Sequence, residues 1–333
     1  MTTAGETSSS APTFDALFNA PDTELVLRSS DGVDFAVHKL ILQLASPVFR
    51  DMLSLPQPST PASSRPVISM VENAPSLRLL LHFIYPRTFC EALPLSSIAD
   101  VKRAAALAGK YDIQFMREAA EMALVLLADD LPDIAYAVAW RYELPIALHA
   151  AAQRHLGPFR AAPLDAPEFD EAPASAFKRL EHFSNTARKR VEGLLLAVND
   201  PQEAFCWIKL TSPTRLTKAV TDDPSCMCGR KRVYFKGAIF GPGAPSKQSV
   251  PIWWWRCVHA TVRIIAQQRY LLSIDDPFDT AVTIAQEQVL QCPQCRLKNL
   301  SVIFEATRYC LRAEIKRRIN EVQVDAPFIR KSA

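Results

Sequence analysis

Glycine is scarce in this chain, which has only 9 glycines among its 333 residues. Folds that cradle phosphate groups need clustered glycines, because a loop without side chains lets the backbone approach a nucleotide closely. The sequence contains no glycine-rich dinucleotide fingerprint, no P-loop and no G-x-S-x-G turn of serine hydrolases. The sequence shows no clear combination of a nucleophile with a base, and no clear acid–base pair. The sequence therefore predicts that the protein is not an enzyme.

Long apolar runs are missing as well. The most apolar stretch, residues 119–128, includes Glu121 and is short, whereas a helix that spans a bilayer needs about 20 apolar residues. The first residues contain neither a basic segment nor an apolar segment, so we expect no secretory signal. These absences predict an intracellular protein of the cytoplasm or nucleus, with no membrane partner.

Charge is distributed unevenly along the chain. Residues 1–160 hold 13 Lys and Arg against 17 Asp and Glu, whereas residues 161–333 hold 25 against 18. This difference predicts two units with different surfaces. The basic second half, with runs at Arg230–Arg232 and Lys316–Arg318, keeps open a nucleic-acid-binding regulator, although such runs are usually solvated surface.

The order of elements predicts an α+β fold, because short strand patterns come first and helical patterns follow. Strands are expected at 24–29, 34–37 and 67–70, and alanine- and leucine-rich helices at 96–109, 112–128, 130–142 and 145–156. The proline-rich stretch 157–175 contains no apolar period and is typical of a linker. The predicted organisation is a disordered tail at 1–13, a first domain at 14–156, the linker at 157–175 and a mainly helical domain at 176–323.

The N-terminal residues also resemble a known interaction module, the BTB/POZ domain, over about residues 14–128. The resemblance covers strand, turn and helix positions in the family's order, and continues through the helix that ends in Phe83-Ile84-Tyr85-Pro86. Its opening positions are Asp22, Leu25, Leu27, Asp31-Gly32, Phe35, Val37-His38-Lys39, Leu42, Ser46, Val48-Phe49 and Met52. A segment with prolines and serines at 55–66 departs from the compact family pattern.

The resemblance implies a protein-interaction module that often forms homodimers. In the family, an acidic residue at the start of the first core strand and a basic residue after the histidine line a charged groove at the dimer interface. The corresponding positions are Asp22 and Lys39. An ordinary surface ion pair, which stabilises a fold by about 0–1 kcal/mol, is the alternative interpretation.

Some family members recruit a cullin ubiquitin ligase through an apolar-x-Glu motif before the third strand. The segment 55–66 contains no glutamate, and Met70-Val71-Glu72 lies too late in the sequence. Cullin recruitment is therefore doubtful. The function predicted first is a protein–protein interaction scaffold that self-associates or binds other proteins. A nucleic-acid-binding regulator and a substrate adaptor for a cullin ligase are the alternatives.

The cysteines of the second half occur in two close pairs, Cys226 with Cys228 and Cys292 with Cys295. Two such pairs can supply a tetrahedral Cys₄ site for structural zinc. Cys257 and His259 could replace one ligand. Thiols in a small core and a disulfide are the other interpretations, and the expected compartment disfavours the disulfide.

Three adjacent tryptophans, Trp253-Trp254-Trp255, lie in an apolar segment whose type the pattern does not decide. If the segment were a strand, its side chains would alternate between two faces, so at least one indole would be exposed.

Overall fold

The computed structural model describes residues 13–55, 65–91, 93–200, 202–204, 228–235 and 245–329. The chain forms two compact units, Met1–Leu127 and Ala128–Ala333. The first unit joins a small sheet to helices, and the second is mainly helical. The predicted α+β class with a helical second part is confirmed.

The first unit begins with a mixed sheet of four short strands. These are β1 (Thr13–Phe14), β2 (Leu25–Arg28), β3 (Val33–Val37) and β4 (Val67–Ser69). The strand order is β1-β3-β2-β4. β2 and β3 form an antiparallel hairpin, whereas β1 pairs with β3 and β4 with β2 in parallel. Gly32 in the hairpin turn has a φ of 85°, a conformation that glycine adopts without steric cost.

The described residues of the first unit also form five helices. They are α1 (Lys39–Ala45), α2 (Pro47–Ser54), α3 (Ala74–Ile84), α4 (Ile98–Tyr111) and α5 (Gln114–Leu127). Ser46 caps α2 by accepting a hydrogen bond from the Phe49 backbone N–H at 3.2 Å, and Pro47 occupies the first turn. This combination is a common start of a helix, because proline has no N–H to leave unpaired.

The core of the first unit lies between the sheet and the helices. The rings of Phe49 and Tyr111 stack at 4.7 Å with their planes 4° apart. The Ser46 hydroxyl donates to the Tyr111 carbonyl at 2.5 Å, which joins α2 to the end of α4. Further buried side chains are Leu25, Leu27, Phe35, Val37, Leu42, Leu77, Leu80 and Leu81.

The described residues of the second unit form helices and a hairpin. Its helices are α6 (Pro132–Arg141), α7 (Pro145–Arg154), α8 (Pro167–Asp170), α9 (Ala174–Glu192), α10 (Ile252–Gln267), α11 (Asp275–Leu290) and α12 (Leu300–Asn320). β5 (Arg230–Phe235) and β6 (Ser246–Pro251) pair antiparallel. Among the same described residues, 3₁₀ turns lie at Gly193–Val198 and Cys295–Leu297.

The three tryptophans lie in the first turn of α10 rather than on a strand. All three are buried, with exposed fractions of 0% for Trp253, 1% for Trp254 and 6% for Trp255. The Trp254 indole N–H donates to the hydroxyl of Thr307 in α12 at 3.0 Å. An exposed indole was expected only if this segment were a strand. Because it is a helix, all three indoles are buried.

The boundary between the units lies earlier than the predicted one. Helices at 130–156 were expected in the first domain, but α6 and α7 belong to the second unit. There the Tyr136 hydroxyl donates to the Ala176 carbonyl of α9 at 3.1 Å. The expected linker at 157–175 contains α8 within the same unit. Periodicity indicates where a helix lies but not which helix it packs against.

Two other expectations concern the chain ends and membranes. Of the predicted tail, residues 1–12 lie outside the described residues, and Thr13 already belongs to β1. Across the described residues, no helix is both long enough and apolar enough to cross a bilayer.

Candidate functional site

The two predicted groove residues lie near the start of α1. The Asp22 side chain is 75% exposed, and its Oδ2 lies 3.7 Å from Nε2 of His38. The backbone N–H of Lys39 donates to Oε2 of Glu24 at 3.2 Å. Within the described residues no ion pair joins Asp22 to Lys39. Two carboxylates and one lysine therefore surround the beginning of this helix.

His38 is held by Tyr85, the residue that ends α3. The His38 backbone N–H donates to the Tyr85 hydroxyl at 2.9 Å, and the ring Nδ1 lies 3.1 Å from the same oxygen. Tyr85 is 3% exposed, and burial raises its pKa. These contacts assign His38 a structural role. The sequence pattern contains no signal for the hydrogen bond to Tyr85.

Four apolar side chains of the α1–α2 hairpin face solvent. Leu40 and Leu44 are 64% and 72% exposed, Leu55 is 63% exposed and Val48 is 38% exposed. Leu40 and Leu44 are four residues apart, so they share one face of α1. Phe49, adjacent to Val48, is fully buried. We refer to Leu40, Leu44, Val48 and Leu55 as the α1–α2 apolar surface.

Three of the four paired cysteines lie together in the second unit. The Sγ atoms of Cys228, Cys292 and Cys295 all lie within 4.8 Å of one another. The Sγ atoms of Cys228 and Cys295 lie 3.5 Å apart. This distance is too long for a disulfide bond, whose length is about 2.05 Å. The fourth predicted ligand, Cys226, lies outside the described residues.

Local structure presents these sulfurs from two turns. Cys228 precedes Gly229, whose φ of 72° turns the chain into β5 and whose carbonyl accepts from the Ile252 N–H at 3.0 Å. Cys292 follows α11, and the Arg296 N–H donates to its carbonyl at 3.1 Å. Cys292 and Cys295 are 5% and 0% exposed. The two turns thus bring together residues more than sixty positions apart in the chain.

The suggested substitute ligands, Cys257 and His259, lie in α10 outside this group. Burial raises the pKa of Cys257 to about 12, which favours the neutral thiol. Burial lowers the pKa of His259, with smaller contributions from Arg263 and Lys231.

Comparison with protein families decides the identity of the first unit. The family model of the BTB/POZ domain matches residues 14–126. Residues 14–126 form a BTB/POZ domain. A comparison with curated proteins finds no match.

The BTB/POZ domain is a protein-interaction module and not a catalytic domain. Its match spans β1 to α5 and includes both groove residues and the α1–α2 apolar surface. The predicted interaction function is therefore supported at the level of the domain.

The glutamate nearest to the cullin-recruiting pattern is engaged within the BTB/POZ domain. Glu72 forms an ion pair with Lys110, and its side chain is 9% exposed. Although burial opposes ionisation, the hydrogen bond from Lys110 helps to lower the pKa of Glu72. This carboxylate stabilises the domain and is not displayed to a partner, so the structure gives no support to an adaptor role.

The basic run Lys316–Arg318 is largely neutralised within the second unit. Arg318 is 4% exposed, and its guanidinium contacts Glu314 at 2.9 Å and Glu203 at 2.5 Å. Arg317 pairs with Glu314 at 2.8 Å and also with Glu321. Nucleic acids bind to exposed cations, so this run does not favour the nucleic-acid alternative.

Proposed function

We propose that the protein is a scaffold that self-associates through its BTB/POZ domain, with the α1–α2 apolar surface in the contact. The observation that carries the proposal is the exposure of Leu40 and Leu44 on a single seven-residue helix. Apolar side chains grouped on one surface are typical of sites that bind another protein.

Burial of the α1–α2 apolar surface contributes free energy to association. Covering a leucine side chain contributes about 1.5–3 kcal/mol when it is fully removed from water. Association also costs translational and rotational freedom. Several exposed apolar groups on one hairpin can offset part of that cost, whereas one isolated leucine cannot.

The charges beside this surface favour a symmetric contact. Asp22 and Lys39 carry opposite charges near the start of α1. In a two-fold interface the same patch occurs on both subunits, so each acidic group can face the partner's basic group. This arrangement gives self-complementarity without a second kind of partner.

The test is the mass of the full-length protein in solution. The double variant Leu40→Asp, Leu44→Asp should weaken self-association by at least about tenfold, which corresponds to about 1.4 kcal/mol. Leu164→Asp changes a leucine that is 98% exposed in the second unit and should leave association unchanged. Circular dichroism verifies that the variants fold. A double variant that associates as strongly as the wild type would contradict the assigned surface.

A further inference from the structure

We propose that the thiolates of Cys228, Cys292 and Cys295 bind one Zn²⁺ ion that ties the start of β5 to the turn before α12. The site belongs to the second unit and is independent of the function proposed for the BTB/POZ domain. Its role is structural, and its ligand is the metal ion itself.

The sulfur positions fit a tetrahedral zinc ion. A Zn–S bond of about 2.3 Å places two sulfurs of a tetrahedron about 3.8 Å apart. The Cys228 and Cys295 sulfurs lie 3.5 Å apart, and all three lie within 4.8 Å of one another. Shifts of less than about 1 Å would therefore bring the three sulfurs to the distances of a thiolate zinc site.

The two ligand-bearing turns have the form that holds zinc in small structural sites. Cys292 and Cys295 have C-x₂-C spacing with Pro293 between them, and Cys295 begins a 3₁₀ turn. The Lys298 N–H donates to the Cys295 carbonyl at 3.0 Å, which fixes that turn. A short chelating turn needs little rearrangement on binding, because its two sulfurs are already on the same side.

The space beside two of the sulfurs is large enough to admit an ion. An open cavity of ≈ 720 Å³ beside Cys228 and Cys292 is also lined by Ile252, Trp253 and Arg256. The Trp253 indole N–H is buried without a hydrogen-bond partner in this wall.

Binding of Zn²⁺ by the three thiols releases their protons. Each neutral thiol loses its proton to solvent as its sulfur bonds to Zn²⁺, and no oxidant or reductant takes part. Three thiolates leave the site with a net charge of −1, and a tetrahedral ion takes a fourth donor. Because the ion bridges distant segments, its binding free energy adds to the stability of the folded second unit.

The first experiment measures zinc by mass spectrometry in full-length protein purified without chelators from zinc-supplemented cells. The expected content is about one zinc per chain. Cys292→Ser and Cys295→Ser should each retain less than about a tenth of it. Cys310→Ser is the matched control, since Cys310 is also 0% exposed and lies in α12 of the same unit, and it should keep its zinc.

A second experiment protects the proposal against variants that fail to fold. Wild-type protein stripped of metal is titrated with Co²⁺, which occupies tetrahedral thiolate sites. The proposal predicts one equivalent of binding with thiolate-to-cobalt charge-transfer absorption, displaced by one equivalent of Zn²⁺. Wild-type protein without zinc and without this absorption would overturn the proposal, as would equal zinc loss in Cys310→Ser and Cys295→Ser.

Discussion

The hydroxyl of Tyr85 accepts the backbone N–H of His38 at 2.9 Å and lies 3.1 Å from the imidazole Nδ1. His38 is the residue before α1, and its side chain makes no capping bond to that helix. The end of α3 thus satisfies a backbone group at the start of α1. This contact positions Lys39 and Leu40 at the surface proposed for association.

Replacing Tyr85 by phenylalanine should lower the free energy of unfolding of the BTB/POZ domain by about 1 kcal/mol, because a half-buried N–H loses its acceptor. Urea unfolding measures the change. Tyr309→Phe is the control, since Tyr309 is 58% exposed and its loss should change stability by less than about 0.5 kcal/mol. Equal effects of both variants would show that the Tyr85 hydroxyl is not a structural acceptor.

Thr307 and Thr261 offer a matched pair in the second unit. Both are fully buried, and both donate to the carbonyl four residues earlier, at 2.7 Å and 2.8 Å. Only Thr307 also accepts the Trp254 indole N–H. Thr307→Val should therefore cost about 1 kcal/mol for the lost indole hydrogen bond, beyond the cost of Thr261→Val.

Thermal and urea unfolding of the two variants measure this difference. Intrinsic tryptophan fluorescence should also change in Thr307→Val, because the indole loses its hydrogen bond. If the two valine variants are equally stable, the contact between Trp254 and Thr307 contributes nothing to the fold.

Sequence reasoning located the first unit well, because its strands, its turn at Asp31-Gly32 and its helix starts are local features. It failed on the three tryptophans, since a short apolar run fits a buried helix as well as a strand. What packs against a helix depends on the whole chain, which explains the misplaced unit boundary.

The candidate sites show the same limit. The pairing of Cys228 with Cys292 and Cys295 followed from their spacing and is seen in the positions of the sulfurs. The exposure of Leu40 and Leu44 did not follow, because an apolar stripe in a sequence normally predicts burial. Distinguishing a core stripe from a docking surface needs the packed structure.

The second unit should lose stability as the pH falls below about 6.5, the usual pKa of histidine. Burial lowers the pKa of His149 and of His155, and at His155 Asp133 partly offsets this effect while Arg269 adds to it. In the unfolded chain both histidines take up protons at higher pH than in the folded one. Their contribution is therefore present above about pH 6.5 and is lost as pH falls through their lowered folded-state values.

Urea midpoints measured between neutral and mildly acidic pH test this expectation. His155→Phe, which can pack on Phe159 as the imidazole does at 4.9 Å, should flatten the pH dependence. His182→Gln changes an exposed histidine of α9 and should leave the slope unchanged. If His155→Phe leaves the pH dependence of the urea midpoint unchanged, His155 does not contribute to it.

Cys226 is proposed as the fourth zinc ligand, because it stands two residues before Cys228 in the sequence. Cys226→Ser should weaken zinc binding and reduce the thiolate-to-cobalt charge-transfer intensity by about a quarter relative to a four-sulfur site. Competition with a chromogenic chelator measures the affinity. Unchanged affinity and intensity would assign the fourth position to another donor.

Sedimentation velocity of the wild-type full-length protein, from low to high micromolar concentration, tests self-association through the BTB/POZ domain. We expect a species of twice the 37.0 kDa chain mass whose fraction rises with concentration. A single species at the mass of one chain over the whole range would contradict it.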